Sequence, residues 1–287
     1  MSGIESKAKV ASDIRSVTMA AGVEIQYEGL GTGSPVALLH GALSSRYTFS
    51  RQRDVLAASR RLILPSARGH DGVAPILPDD YGVATSDVRD FATVLDAENV
   101  DRVDVIGHSS GGATAFAFAR EFPDRVNRLI LIEPTLVALL PPRDRDALTT
   151  DLKAIIEKGE ADGDMAALRA TMGLLGGAAW AGLDDNAQSR QLTAMSATAP
   201  VLAPHWRAIL ALAVSPEDLK ALQTPTCLIY GRDSYEFEAA LSACWRTNRP
   251  DIPQILVDSA GHNSHRDRPD IVNPAIIDFL DGNGSGG

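Results

Sequence analysis

The run Gly107-His108-Ser109-Ser110-Gly111-Gly112 is G-x-S-x-G with a further glycine behind it. That pattern suits a nucleophilic serine at a tight turn from a strand into a helix. The apolar run VDVI precedes it and the Ala/Phe-rich stretch ATAFAFARE follows it, so Ser109 has the flanks such a turn demands. Small residues at 107 and 111 let neighbouring backbone pass close by. The helix N-terminus then points its unpaired N–H groups at developing negative charge. The bland alternative is a turn serine that merely caps the helix over 110–121.

A serine hydroxyl is a weak nucleophile without a base. Of the six histidines, His108 sits inside the turn itself. His40 follows the run VALL, His70 follows a second strand-like run, and His205 lies in a helical stretch. His262 and His265 come after the run QILV and before the last helix. His262, directly after Gly261, is expected as the base, and His265 as a polar neighbour or a cap of the helix near Pro269. Acyl transfer also needs hydrogen-bond donors for an oxyanion. The backbone N–H groups of Ser110 and Ala42 are expected there, Ala42 being presented by the turn His40-Gly41-Ala42 in which Gly41 permits a sharp reversal.

These residues need a scaffold, and the hydropathy pattern predicts one. Short, near-continuous apolar runs occur at Val36–Leu39, Leu62–Leu64, Val103–Ile106, Leu129–Ile132, Cys227–Tyr230 and Ile255–Val257. Runs apolar on both faces suit buried parallel strands. Helical patterns separate them, as over 86–98, where Val88, Phe91, Ala92 and Leu95 share a stripe, over 111–122 and over 269–280. Alternation of this kind predicts a doubly wound α/β sheet. SVTMA (16–20) and VEIQYEG (23–29) predict an antiparallel hairpin turning at Ala21-Gly22. From about 135 to 222 no strand pattern is visible. Helical stripes at 148–156 and 165–175, the Gly-rich GLLGGAAWAG and a helix near 205–214 predict a helical insertion, too long for a plain connection. The expected division is a core of 1–134 and 223–281, a helical cap of 135–222 and a disordered tail of 282–287.

Composition narrows the function classes. The chain has 287 residues, 45% apolar and 22% charged, which suits an ordinary globular protein. A formal charge of −10 disfavours binding to nucleic acid or to anionic membrane surfaces. Cys227 and Cys244 make no disulfide framework and no metal-ligand spacing occurs, so free thiols and no metal are expected. The first residues contain no apolar signal segment, and no run is long enough to span a membrane; the expected setting is cytoplasmic.

Read in order, LLHGALSS, SARGHDG, DVIGHSSGGATAFAFAREFPDRVNRLILIEP, GRDS and DSAGHNSHRDRPDIVNPAIIDFL resemble the α/β-hydrolase fold family, in its capped serine-hydrolase subclass. The resemblance implies a mostly parallel eight-stranded sheet with flanking helices, a Ser–acid–His triad in that chain order, and no cofactor. Two positions depart from the family pattern. Ser66 stands where an Asp usually precedes x-R-G-H, and Ser234 fills the slot of the usual acid, with Asp233 one residue early. Glu133, at the end of LILI, is the competing carboxylate, in a place where some branches of the family carry their acid. GHSSGG…FPDRVNRLILIEP is similar in wording and spacing to the zearalenone-type lactone hydrolases. Glu133 is preferred over Asp233, and both stay in play.

The expected chemistry is two-step acyl transfer on a fairly hydrophobic ester or lactone, a small-molecule substrate; the oligomeric state is not legible. Gly41, Met172, Leu174, Leu175, Trp180, Leu202 and Trp206 are candidate pocket residues, although most apolar residues of a cap form its own core. Alternatives are a C–C bond hydrolase, an acyltransferase or perhydrolase, and, from another class, a hydrolase-like ligand receptor with slow turnover.

Overall fold

The computed structural model describes residues 12–19, 22–70 and 77–282. Ala20 and Ala21 of the expected hairpin, and residues 283–287 of the expected tail, lie outside them. Eight strands form one sheet: β1 (Ser12–Thr18), β2 (Glu24–Leu30), β3 (Ser34–Leu39), β4 (Arg60–Pro65), β5 (Val103–His108), β6 (Val126–Ile132), β7 (Thr226–Gly231) and β8 (Gln254–Val257). Their order is β1-β2-β4-β3-β5-β6-β7-β8. β1 pairs antiparallel with β2 and β2 with β4; the remaining pairs are parallel. The hairpin is longer than its apolar pattern predicts, because β1 is an exposed edge strand that needs no buried face.

The helices are α1 (Arg53–Ala57), α2 (Val88–Ala97), α3 (Ser110–Glu121), α4 (Pro142–Asp162), α5 (Asp164–Ala181), α6 (Asp185–Met195), α7 (Ala199–Ala211), α8 (Pro216–Ala221), α9 (Glu236–Asn248), α10 (Ser264–Asp267) and α11 (Pro269–Leu280). The near-continuous apolar strand runs are explained by cover on both faces. Val36, Leu38, Leu62, Leu64, Ile106, Ile130, Ile132 and Ile229 pack with Phe49, Leu56, Val272 and Ile276 on one side. The alternate residues Ala37, Leu39, Ile63, Val105, Leu129, Leu131 and Leu228 pack with Phe91, Phe116, Leu241 and Trp245 on the other. Period-two alternation therefore sorts the strand residues into two separate cores.

Between β6 and β7 the described chain is helical. α4 packs on α5 and α7, and its Leu148, Leu152 and Ile155 join the second of those cores with Leu168, Leu202 and Trp206. α5 kinks at Gly177, whose φ of 49° a side chain would strain. α8 packs instead on α9, where Arg249 Nη1 donates to the carbonyls of Leu219 and Leu222 at 2.9 and 2.7 Å. Among the described residues no helix is long and apolar enough to cross a membrane. Cys227 is buried, Cys244 is half-buried, and both are free thiols.

His108, His205 and His265 are among the buried imidazoles of this fold. Burial, with help from neighbouring histidines, holds His108 well below the ordinary range and pushes His205 down to about 3; burial, then Arg266 and His262, does the same to His265, also down to about 3. In the unfolded chain such rings take up protons below about 6.5. The unfolded state therefore binds more protons, and stability falls with pH from about 6.5 downward, by on the order of 1 kcal/mol per pH unit per ring. Thermal melts are expected to show Tm dropping steadily from about pH 7 to pH 4.5, and dropping less steeply in His205→Leu. A wild-type Tm that is flat over that range would contradict the neutral burial of these rings.

Candidate active site

β5 runs directly into α3 through Ser109, whose φ of 55° and ψ of −123° are strained for any residue with a side chain. Hydrogen bonds hold it there. Its N–H donates to the Ile132 carbonyl at 3.0 Å, and its own carbonyl accepts from Thr135 N–H at 3.0 Å and Gly112 N–H at 2.8 Å. The flanking glycines are a steric necessity. A Cβ on Gly107 would sit 2.5 Å from the Gly111 carbonyl oxygen, and one on Gly111 would sit 2.3 Å from that of Leu39. A Cβ on Gly41 would sit 2.8 Å from Ser109 Cβ, so the turn after β3 lies directly against the serine.

That turn is fixed by His40. Its Nε2 accepts from Ala67 N–H at 3.0 Å, so the ring proton is on Nδ1, which faces the Gly41 carbonyl at 2.9 Å. Ser110 is the first residue of α3, so its N–H has no intrahelical acceptor. Ala42 N–H is engaged: it donates to Ser110 Oγ at 2.8 Å. The Ser110 hydroxyl must turn away before Ala42 N–H can serve an oxyanion. Ser109 Oγ lies 3.3 Å from Thr135 Oγ1 and, among the described residues, makes no hydrogen bond to His262.

Glu133 follows β6 with a φ of 46° and is fully buried. Its N–H donates to the Ile229 carbonyl at 3.0 Å, which ties this residue to the end of β7. Oε1 accepts from Gly231 N–H at 2.6 Å. Oε2 accepts from Ser234 Oγ and stands 2.6 Å from His262 Nδ1. Asp233 is exposed; its N–H donates to the Ala260 carbonyl, and its carboxylate has no partner among the described residues. Of the two candidate carboxylates, the structure brings Glu133 to His262 and leaves Asp233 facing solvent. Ser234, in the slot where the resemblance puts an acid, supports Glu133 by a hydroxyl.

The loop that carries His262 is clamped from below. His108, kept neutral by burial, donates from Nε2 to the His262 carbonyl at 2.9 Å. Its ring lies 4.9 Å from that of His262 and 4.5 Å from that of His265. His265 is buried beside Phe49, with Nε2 3.2 Å from Thr48 Oγ1, and so packs under the loop instead of capping α11. The Tyr235 ring covers His262 at 5.0 Å, and its hydroxyl donates to the Leu175 carbonyl at 2.6 Å. Ser66, the other departure from the family pattern, accepts from Arg46 Nη1 at 2.9 Å.

Of the proposed pocket residues, Gly41 touches Ser109 and Leu175 reaches the His262 side through Tyr235. Met172 and Leu175 are half-buried at the insertion's core. Trp180, Leu202 and Trp206 are buried within it, and Trp206 Nε1 donates to Thr171 Oγ1 at 3.1 Å. Leu174 faces a groove between α4, α5 and α6. A small cavity of about 50 Å³ borders His40, Gly41, Ser110, Thr114 and His205. Glu133, Glu238 and His262 each bring one ligand-type atom within 4.8 Å of the others, but the Glu133 and His262 atoms are already paired with each other. Thr135, Tyr235 and Glu238 were not singled out by motif; only the nearness of Thr135 to Glu133 in sequence hints at any of them.

Residues 36–275 match the alpha/beta hydrolase family. The chain is 31% identical over 233 residues to a 2-hydroxy-6-oxo-2,4-heptadienoate hydrolase of Pseudomonas putida, covering 78% of this chain and 80% of that protein. It is 26% identical over 275 residues to a 2-hydroxy-6-oxo-6-phenylhexa-2,4-dienoate hydrolase of Burkholderia cepacia, covering 89% and 91%. Among solved structures it resembles a thermophilic esterase from Thermogutta terrifontis, with a TM-score of 0.76 and 23% identity over 94% of this chain and 98% of that one.

The two neighbouring side chains of the turn after β7 should separate cleanly by mutation. Ser234→Ala removes one donor from Glu133 and is expected to lower kcat about tenfold, while Asp233→Asn stays within about twofold, on the scale of a hydrogen bond to a charged group. Steady-state hydrolysis of a chromogenic ester, with a thermal melt on each variant, checks this. A crippled, folded Asp233→Asn would reverse the order.

Proposed function

The chain belongs to the alpha/beta hydrolase family, and from that premise we propose that it is a serine hydrolase cleaving a carboxylic ester or lactone of a fairly hydrophobic small molecule. The observation that carries the proposal is a buried Glu133 carboxylate 2.6 Å from His262 Nδ1, beside a serine held at positive φ. Glu133 keeps the Nδ1 proton of His262 in place, so Nε2 is left to accept a proton. Ser109 Oγ leaves Thr135, gives its proton to Nε2 and attacks the carbonyl carbon. The oxyanion is taken by Ser110 N–H and, once the Ser110 hydroxyl turns aside, by Ala42 N–H. The imidazolium returns its proton to the leaving oxygen, giving an acyl-enzyme on Ser109. Water, deprotonated by His262, then releases the acid and restores the serine. The helical stretch 135–222 acts as the cap over this site, and Tyr235 with Leu175 joins cap to histidine.

A second reading is hydrolysis of a C–C bond next to a ketone. It is favoured by the similarity to the P. putida dienoate hydrolase, which extends over most of both chains. The two readings share Ser109 and His262 and differ in the leaving group, oxygen or carbon. Purified protein assayed on esters, lactones and β-diketone-type compounds separates them by relative kcat/KM. In either case Ser109→Ala is expected to lose on the order of 10⁶ in kcat while melting normally. More than a few per cent of wild-type activity in a clean preparation of that variant would overturn the serine mechanism.

A further inference from the structure

Glu238 has no part in the scheme above, yet it stands against its centre. It lies in the first turn of α9, 2% exposed, and neither carboxyl oxygen has a hydrogen-bond partner. Oε1 is 3.8 Å from His262 Nδ1, the nitrogen that Glu133 holds at 2.6 Å. The titratable groups around it are Glu133 after β6, Tyr230 on β7, Tyr235 just before α9 and His262 in the loop after β8. Tyr230 is also buried, and its hydroxyl has no partner either. No cation other than a protonated His262 is within salt-bridge reach of Glu238 among the described residues.

A buried carboxyl without partners is unfavourable, and an apolar side chain of similar volume would pack there at lower cost. Two carboxyls beside one imidazole cannot both carry charge easily. Burial, and then the charge of Glu133, raises Glu238 well above the usual carboxyl range, so Glu238 keeps its proton while Glu133 is ionised. We propose that Glu238 is a positioning residue for the hydrolytic reaction, a reserve acid behind Glu133 that can take over the imidazole of His262. This inference rests on the serine-hydrolase reading above. With Glu133 charged, Glu238 is a neutral filler. With Glu133 neutralised, Glu238 releases its proton to solvent, and its carboxylate becomes the negative charge nearest Nδ1.

The test is a double-variant comparison. Glu133→Gln keeps the acceptor for Gly231 N–H but removes the charge. If Glu238 takes over, this variant keeps about 10⁻² of wild-type kcat, and Glu133→Gln/Glu238→Gln falls to about 10⁻⁴, the scale of losing the acid altogether. The gap between the two should widen as pH rises from about 6 to 9, because only the single variant has a carboxyl left to ionise. The proposal is overturned if single and double variants stay within about threefold across that range, both folded by circular dichroism and melting. A gap that does not change with pH also overturns it, since a packing role moves Tm and not the pH trend. Should Glu133→Gln fail to fold, Glu133→Asn, which also removes the charge and tolerates the positive φ of this position, supplies the second background for the same comparison. Failure of the underlying reading looks different: Ser109→Ala would then retain activity, whatever the ratio between the glutamate variants.

Discussion

A carboxylate shut away from solvent has to find its hydrogen bonds inside the protein, and Glu133 finds three. Gly231 N–H comes from the end of β7, Ser234 Oγ from the turn after it, and His262 Nδ1 from the loop after β8. Removing any of them leaves a buried charge under-satisfied, which costs more than the bond itself is worth in water. The end of β6, the end of β7 with its turn, and the loop after β8 are thereby held in one register, and the orientation of the imidazole follows from that register. The serine side depends on the same strand, since Ser109 N–H donates to Ile132, the residue just before Glu133.

Ser109 and Glu133 sit at the ends of adjacent parallel strands, and both have positive φ. Strain of about 1–3 kcal/mol at each such position survives only where the surroundings over-determine it. Here the surroundings are the Ile132 and Ile229 carbonyls, the Thr135 N–H, and a packing of glycines so close that a Cβ at 107 or 111 would meet backbone. The strain turns both side chains out of their strands toward the same edge of the sheet. Ligands in open α/β sheets bind at the edge where strands end.

Polar burial extends below the reacting groups. His108 spends its N–H on the His262 carbonyl, His265 fills the space under it, and both rings are neutral because the interior disfavours their charged forms. The cost is sensitivity to acid, and the gain is a histidine loop whose backbone is fixed from beneath while Tyr235 covers its ring from the side. His40 does the corresponding service for the turn that carries Gly41 and Ala42.

Much of this was legible in the residues. Strands buried on both faces must be apolar at successive positions, so the runs at 36–39, 62–64, 103–106, 129–132, 227–230 and 255–257 declare themselves. The serine turn is equally plain, because its glycines answer to backbone contacts only a few residues away in sequence or on the neighbouring strand. The choice between Glu133 and Asp233 was not legible, because both stand at strand ends on the same sheet edge. What separates them is the direction of each side chain: Glu133 at φ 46° turns inward, while Asp233 sits on an outward turn. The hydroxyl of Ser110 on Ala42 N–H is likewise a matter of rotamer, and no spacing rule predicts it. Glu238 is the extreme case. In EFEAALSACW it reads as one more charge on the solvated first turn of a helix, and only the packing of α9 against β7 and the His262 loop makes it a buried acid. Local pattern determines which residues enter strands, helices and tight turns; which polar groups meet is settled by side-chain direction and by contacts between segments more than a hundred residues apart, and only the tertiary structure supplies those.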